Sequence, residues 1–201
     1  MKRTNTRYMI QLTLLIAIQI IMGAVPGLGL IPVTPVFNLT TLHIPVIVGA
    51  AVLGVKAGAV LGLTFGLTSM IRAIYVPTIF NWPFNPAATG SFYSVLIAIV
   101  PRVALGILAA YVFILLSKRG VKSPLCAGIA GVAGSLCNTV LVLGGIYLLF
   151  GQSYSAMRGM SPDALLALYG SVVVTNGIPE AIAAAVVCAA LVVPLRRIAN
   201  N

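Results

Sequence analysis

The sequence predicts an all-α integral membrane protein: a bundle of six transmembrane helices with both termini cytoplasmic. Three observations carry this. Sixty per cent of the 201 residues are hydrophobic, only 7% are charged, and mean hydropathy is +1.12. A soluble domain of this length could not bury so much apolar surface. The apolar residues fall into long runs, and at about 20 residues per bilayer crossing roughly six crossings fit. Finally, the 12 Lys and Arg, against two acids, gather at the ends of those runs, as the positive-inside rule expects. Residues 1–201 are read as one six-helix membrane domain.

The expected spans are residues 8–25, 39–55, 57–75, 92–117, 124–150 and 168–195. Lys2, Arg3, Arg7, Lys56, Lys118, Arg119, Lys122, Arg196 and Arg197 fall on one side, assigned to the cytoplasm, and Arg158 and Arg72 on the other. The first run has a basic start but no small-x-small cleavage pattern, so it is read as an uncleaved helix. Between the second and third spans only residues 54–58 intervene, which demands an antiparallel hairpin. Gly54, Gly58, Gly62 and Gly66 recur every four residues there, a small-residue ladder that lets backbones approach in lipid. Ala181, Ala185 and Ala189 repeat the device in the last span, and Gly106 with Ala110 in the fourth.

Three longer connections, residues 26–40, 76–91 and 151–167, lie on the outer side. The first holds Gly27, Gly29, Pro32, Pro35 and Asn38. The second holds Pro77, Asn81, Trp82, Pro83, Phe84, Asn85 and Pro86, residues that break helices and offer stacking faces and hydrogen-bonding edges, the make-up of a binding flap or of an interfacial aromatic belt. In the third, Ser161-Pro162-Asp163 reads as an N-cap, a first-turn proline and a first-turn acid, so a short helix starts there and Asp163 has a structural task.

Polar groups inside the membrane mark the site. Arg102 follows Pro101 about ten residues into the fourth span, roughly 15 Å deep. A cation there faces a cavity, coordinates an anion or pairs with an acid. Glu180, after Pro179 in the last span, is the acid available for such a pair. Arg72 sits nearer the outer surface, where it snorkels or guards the cavity. Asn138 and Asn176 offer hydrogen bonds to a ligand or between helices. With Asn81, Trp82 and Asn38 from the outer loops, these residues outline one outward-facing small-molecule pocket.

Several functions are excluded. No basic run interleaved with stacking aromatics exists, so the +10 charge implies no nucleic-acid partner. His43 is the one histidine, read as an interfacial residue at a helix start, so neither a serine-histidine pair deep in the membrane nor a metal-ligating motif is available. Cys126, Cys137 and Cys188 are isolated within apolar runs and read as small hydrophobes. No Walker sequence is present, so the chain carries no ATPase site. A self-sufficient secondary carrier would show paired repeats with broken helices in matching halves, and none is visible.

The order of these features, from Thr41-Leu42-His43-Ile44-Pro45-Val46 and Gly49-Ala50 through the glycine ladder, Pro101-Arg102 before Gly106, and residues 176–180, resembles the substrate-binding S component of energy-coupling factor (ECF) vitamin transporters over essentially the whole chain. The resemblance implies a subunit of the bacterial plasma membrane that captures a vitamin outside. It also implies partnership with a scaffold transmembrane subunit and two cytoplasmic ATPases, which use the ATP, and release inward by toppling of the S component. A small-residue motif on the first helix would meet the scaffold, and its matching positions are Thr13, where the family usually has Ala, and Ala17. Among S components the sequence is most similar to the pantothenate-specific group. Pantothenate offers a carboxylate for an Arg, an amide and hydroxyls for Asn, and a gem-dimethyl group for apolar walls; folate and pyridoxine or a hydroxymethyl pyrimidine stay open as cargo. The resemblance implies no cofactor in this chain.

Overall fold

The computed structural model describes residues 2–25, 27–32 and 38–200. Pro26 and Pro35 lie outside the described residues, as do the side chains of Lys2, Arg3 and Asn38. The chain forms α1 (Lys2–Ala24), a hairpin of β1 (Leu30–Pro32) and β2 (Asn38–Thr40), α2 (His43–Leu53) and α3 (Val55–Tyr75). A flap comes next, built from a 3-10 turn (Trp82–Phe84) and α4 (Pro86–Thr89). Then come α5 (Tyr93–Lys118), α6 (Ser123–Met157), α7 (Pro162–Val172), a π-helical segment (Val173–Gly177) and α8 (Ile178–Asn200).

Five helical stretches among the described residues are long and apolar enough to cross a membrane: Thr6–Ala24, Val55–Tyr75, Tyr93–Lys118, Ser123–Met157 and Asp163–Ile198. This is a multi-pass membrane protein. The expected second span, residues 39–55, is divided between β2 and the 11-residue α2, whose length of about 16 Å is half the hydrocarbon thickness. The reason is local. Thr41 ties the chain to the preceding turn, its N–H donating to Gly29 O at 3.0 Å and its Oγ1 to Leu28 O at 2.9 Å. At the other end Gly54 takes φ 91°, a value that favours glycine, and reverses the chain.

α2 is apolar on every side, so it lies within the bundle rather than at its edge. Val46, Ile47, Val48, Ala50 and Ala51 are all buried there, among Leu61 and Phe65 of α3, Leu105 and Ala109 of α5, and Ala184 and Cys188 of α8. His43 starts α2, as its sequence position suggests, and is 1% exposed within the bundle. The hairpin behind it and α8 beside it close it off.

The glycine ladder works differently from the sequence expectation. Gly54 is a turn; Gly62 and Gly66 face α5, and Gly58 faces α5 and the hairpin partner α2. A Cβ at Gly58 would stand 2.5 Å from Gly106 O and 2.9 Å from Ala50 Cβ; at Gly66, 2.6 Å from Ala98 O; at Gly62, 2.7 Å from Arg102 C. Helices α3 and α5 therefore run antiparallel with their backbones touching, as only glycine allows. Ala185 and Ala189 of the α8 ladder lie against glycines of α6: a Cβ at Gly131 would stand 3.0 Å from Ala185 N, and one at Gly128 3.9 Å from Ala189 Cβ. Lipid provides no hydrophobic drive between helices, so close packing of this kind holds the bundle together. Cys126 and Cys188 are buried free thiols within it, and Cys137 is half-buried.

The antiparallel alternation places Lys56, Lys118, Arg119, Lys122, Arg196 and Arg197 at one end of the bundle. The hairpin, the flap and the link between α6 and α7 lie at the other. The short helix predicted at Ser161 is present: Ser161 Oγ accepts the Ala164 N–H at 3.2 Å. It does not end, however, but runs through the π segment into α8, making one continuous apolar stretch. Pro179 just beyond has no N–H to give, which loosens this turn.

Candidate functional site

A cavity of about 290 Å³ opens at the flap end. Its walls come from α3, α5, α6, α7 and the π segment, and it carries three guanidinium groups, Arg72, Arg102 and Arg158, against the single carboxylate of Glu180.

Arg102 is placed by its neighbour. Pro101 lacks the N–H that would bond the Ile97 carbonyl one turn earlier, and Arg102 Nη1 donates to that freed carbonyl at 2.8 Å. Its guanidinium lies 4.6 Å from the Phe84 ring centroid and 5.3 Å from that of Phe65. The residue is 5% exposed, and its Nε has no partner. Ring contacts of about 0.5–2 kcal/mol each return less than the several kcal/mol it costs to take a cation out of water. An anion entering the cavity removes that deficit.

Glu180 does not pair with Arg102. Its Oε1 accepts the Thr40 N–H at 2.6 Å, tying β2 to α8 at the cavity wall, and no ion pair links the two residues among the described residues. Arg72 lines the cavity while its Nη1 donates to Gly23 O at 3.1 Å. A cation at that last turn of α1 also complements the negative end of the helix dipole. Asn138 lines the cavity from α6 with its Oδ1 buried and unpartnered. Asn176 lines it from the π segment. That widened turn, which sequence reasoning did not foresee, is a common feature of functional sites.

The flap residues divide. Asn81 lines the cavity, but its side chain mainly folds the loop, accepting the Thr78 N–H at 2.7 Å and donating to Val76 O at 2.8 Å. Trp82 is not in the wall. It stacks on Tyr154 at 6.2 Å and meets Phe150 edge-on at 5.6 Å, so it buttresses a residue that is. Asn85 anchors the flap, capping α4 and donating to Ala73 O at 2.9 Å. Asn38 lies in β2 with its side chain outside the described residues. Thr13 and Ala17 are not among the residues lining the cavity and are exposed on α1.

Sequence reasoning missed Arg158, Tyr154 and Tyr169. Arg158 Nη1 donates to Tyr154 Oη at 3.2 Å, and its guanidinium lies 4.9 Å from the Phe80 ring. The signal was present: Tyr154 and Arg158 are four residues apart on one helical face. Tyr169 is 8% exposed, lines the cavity, and its hydroxyl has no partner. It was invisible because it falls at the outer start of the expected span 168–195, where an aromatic residue is unremarkable.

The chain matches the family model described as "ECF transporter, substrate-specific component" over residues 7–192. It is similar to the pantothenic acid transporter PanT of Lactococcus lactis subsp. cremoris, with 36% identity covering 94% of this chain and 92% of that protein. It is also similar to the pantothenate transporter PanT of Leuconostoc mesenteroides subsp. mesenteroides, with 28% identity covering 95% and 93%.

Proposed function

Because the chain belongs to the family of substrate-specific components of ECF transporters, we propose that it is the pantothenate-binding S component of such an importer in the bacterial cell membrane. The observation that carries the substrate is the cavity's charge: three guanidiniums against one carboxylate, with Arg102 Nε buried and unpartnered. The carboxylate of pantothenate meets Arg102, Asn138 Oδ1 accepts the amide N–H, and Val142, Leu143 and Ile146 receive the gem-dimethyl group. The names of the two relatives support the same cargo.

On this reading α2 with its hairpin makes the second of six crossings, both termini are cytoplasmic, and the cavity opens outward. The chain binds the vitamin and itself hydrolyses no ATP; a scaffold subunit and two ATPases supply the work, and cargo is released inward as the S component topples. Thr13 and Ala17, exposed on α1, give the scaffold a small-residue seam.

Calorimetry on the purified full-length chain tests the cargo, with one pantothenate bound per chain as the expected result; absence of binding would overturn it. In proteoliposomes the chain alone should accumulate no pantothenate and should do so once the energy-coupling module and ATP are added. Unaided accumulation would make it a secondary carrier.

A further inference from the structure

The outer side of the chain carries few charges. Its three connections, residues 26–40, 76–91 and 151–167, contain one cation, Arg158, and one acid, Asp163. Arg72, in the last turn of α3, adds a second cation at that end. Cations are depleted on the outer side of membrane proteins, so topology does not account for two that share the wall of one cavity.

Contacts fix each of them at the outer end. Arg72 Nη1 donates to Gly23 O, in the last turn of α1, at 3.1 Å. Arg158 closes α6, with its Nη1 donating to Tyr154 Oη at 3.2 Å and its guanidinium 4.9 Å from the Phe80 ring centroid. Each of these hydrogen bonds uses one of a guanidinium's N–H donors. Both residues are half-buried, whereas Arg102 is 5% exposed. Helix-end charge alone does not explain the placement, since a cation complements a helix C-terminus equally well when it faces solvent.

No acid cancels the pair at short range among the described residues. Asp163 is exposed in the first turn of α7 and is not among the residues lining the cavity. Glu180 does line it, but is buried and accepts the Thr40 N–H.

A half-buried guanidinium keeps contact with water, and the low-dielectric walls of a cleft focus its field outward. Such a charge hastens the arrival of an opposite charge, whereas a buried one in contact with the bound ligand slows its departure. Resting on the pantothenate reading above, we propose that Arg72 and Arg158 form an outer capture pair that draws the carboxylate of the vitamin into the cavity and sets the association rate, a task separate from the hold of Arg102 on the bound ligand. In water a unit charge about 7 Å away attracts another by roughly the thermal energy, so each guanidinium contributes about threefold to the rate.

Stopped-flow mixing on the full-length chain in a non-ionic detergent reads association and dissociation separately. Trp82, the one tryptophan, stacks on Tyr154 and supplies a fluorescence signal at the flap, and filtration of labelled ligand checks the amount bound. The ligands are pantothenate and pantothenol, in which the carboxylate is an alcohol. Raising salt from about 0.01 M to about 0.15 M shortens the Debye length from about 30 Å to about 8 Å; it should slow the association of pantothenate with wild type and leave that of pantothenol unchanged. Arg72→Gln and Arg158→Gln should each slow pantothenate association about threefold and weaken its salt dependence, with dissociation and pantothenol association unchanged. Arg72→Lys and Arg158→Lys keep the charge but lose the planar fork, and they should associate like wild type, a rescue that a purely structural guanidinium would not show. Salt-independent association of pantothenate with wild type would overturn the proposal. So would Gln variants that act on dissociation alone, or that slow both ligands equally. If wild type bound no pantothenate, the functional reading itself would fall, and the capture pair with it.

Discussion

Replacing Gly62 by alanine tests whether the glycine ladder sets the geometry of the cavity. The added Cβ would stand 2.7 Å from Arg102 C and 2.8 Å from Val103 Cα, and closer still to Arg102 O, where ordinary van der Waals contact begins at 3.4 Å, so α3 and α5 must part by more than roughly 0.7 Å. The obstacle is backbone and cannot rotate aside. Overpacking of this kind costs about 1–3 kcal/mol, against about 1 kcal/mol returned by the better helix propensity of alanine, and so a net loss of up to about 2 kcal/mol is expected. The shift acts on the residue that carries the guanidinium, and binding sites tolerate only about 0.5 Å of misplacement. Gly62→Ala should therefore lower the melting temperature by a few degrees and weaken pantothenate about tenfold. Gly144→Ala is the control: its Cβ would meet nothing within 4 Å, and both quantities should stay near wild type. Thermal melting in detergent and calorimetry measure the two effects. A Gly62→Ala protein that melts and binds like wild type would refute the idea that the ladder fixes Arg102.

Pro101→Ala restores an N–H to compete for the Ile97 carbonyl that Arg102 now holds; the expected result is a protein more resistant to heat that binds pantothenate several-fold more weakly, and unchanged affinity would mean the carbonyl does not position the guanidinium. Trp82→Ala removes the ring stacked on Tyr154, so limited proteolysis should cut the flap faster, with affinity falling less than in Arg102→Gln. Ala17→Phe places bulk on an exposed face of α1; binding by calorimetry should be retained, while co-purification with the scaffold subunit is lost.

The membrane class and five of the six expected helical stretches were legible because they depend on composition and run length alone. Their positions in the chain needed no partner to be inferred. The second stretch was not legible as a short helix, since hydropathy counts Leu39 and Thr40 together with the apolar residues of α2, while the hydrogen bonds of Thr41 to Leu28 and Gly29 join residues far apart in sequence. Arg102, Arg72, Asn138, Asn176 and Glu180 were legible as wall residues because polar groups at membrane depth are costly and so conspicuous, and Asn81 through the composition of its loop. Tyr169 was not, since a tyrosine costs little in an apolar run and only the buried, unpaired hydroxyl gives it away.

The pairing of Arg102 with Glu180 shows where sequence logic stops. Two opposite charges in one membrane domain suggest a bridge, yet each has found backbone instead: Arg102 the carbonyl that Pro101 frees, Glu180 the amide of Thr40. A bridge would have committed this guanidinium to Glu180, although Arg72 and Arg158 would still leave the cavity cationic. With the two charges on separate backbone partners, the guanidinium is positioned by a carbonyl and meets Glu180 only at longer range than an ion pair, and on the pantothenate reading an anionic cargo supplies the remaining compensation. The two prolines help to shape the cavity, Pro101 by exposing the carbonyl that holds Arg102 and Pro179 by following the turn that carries Asn176.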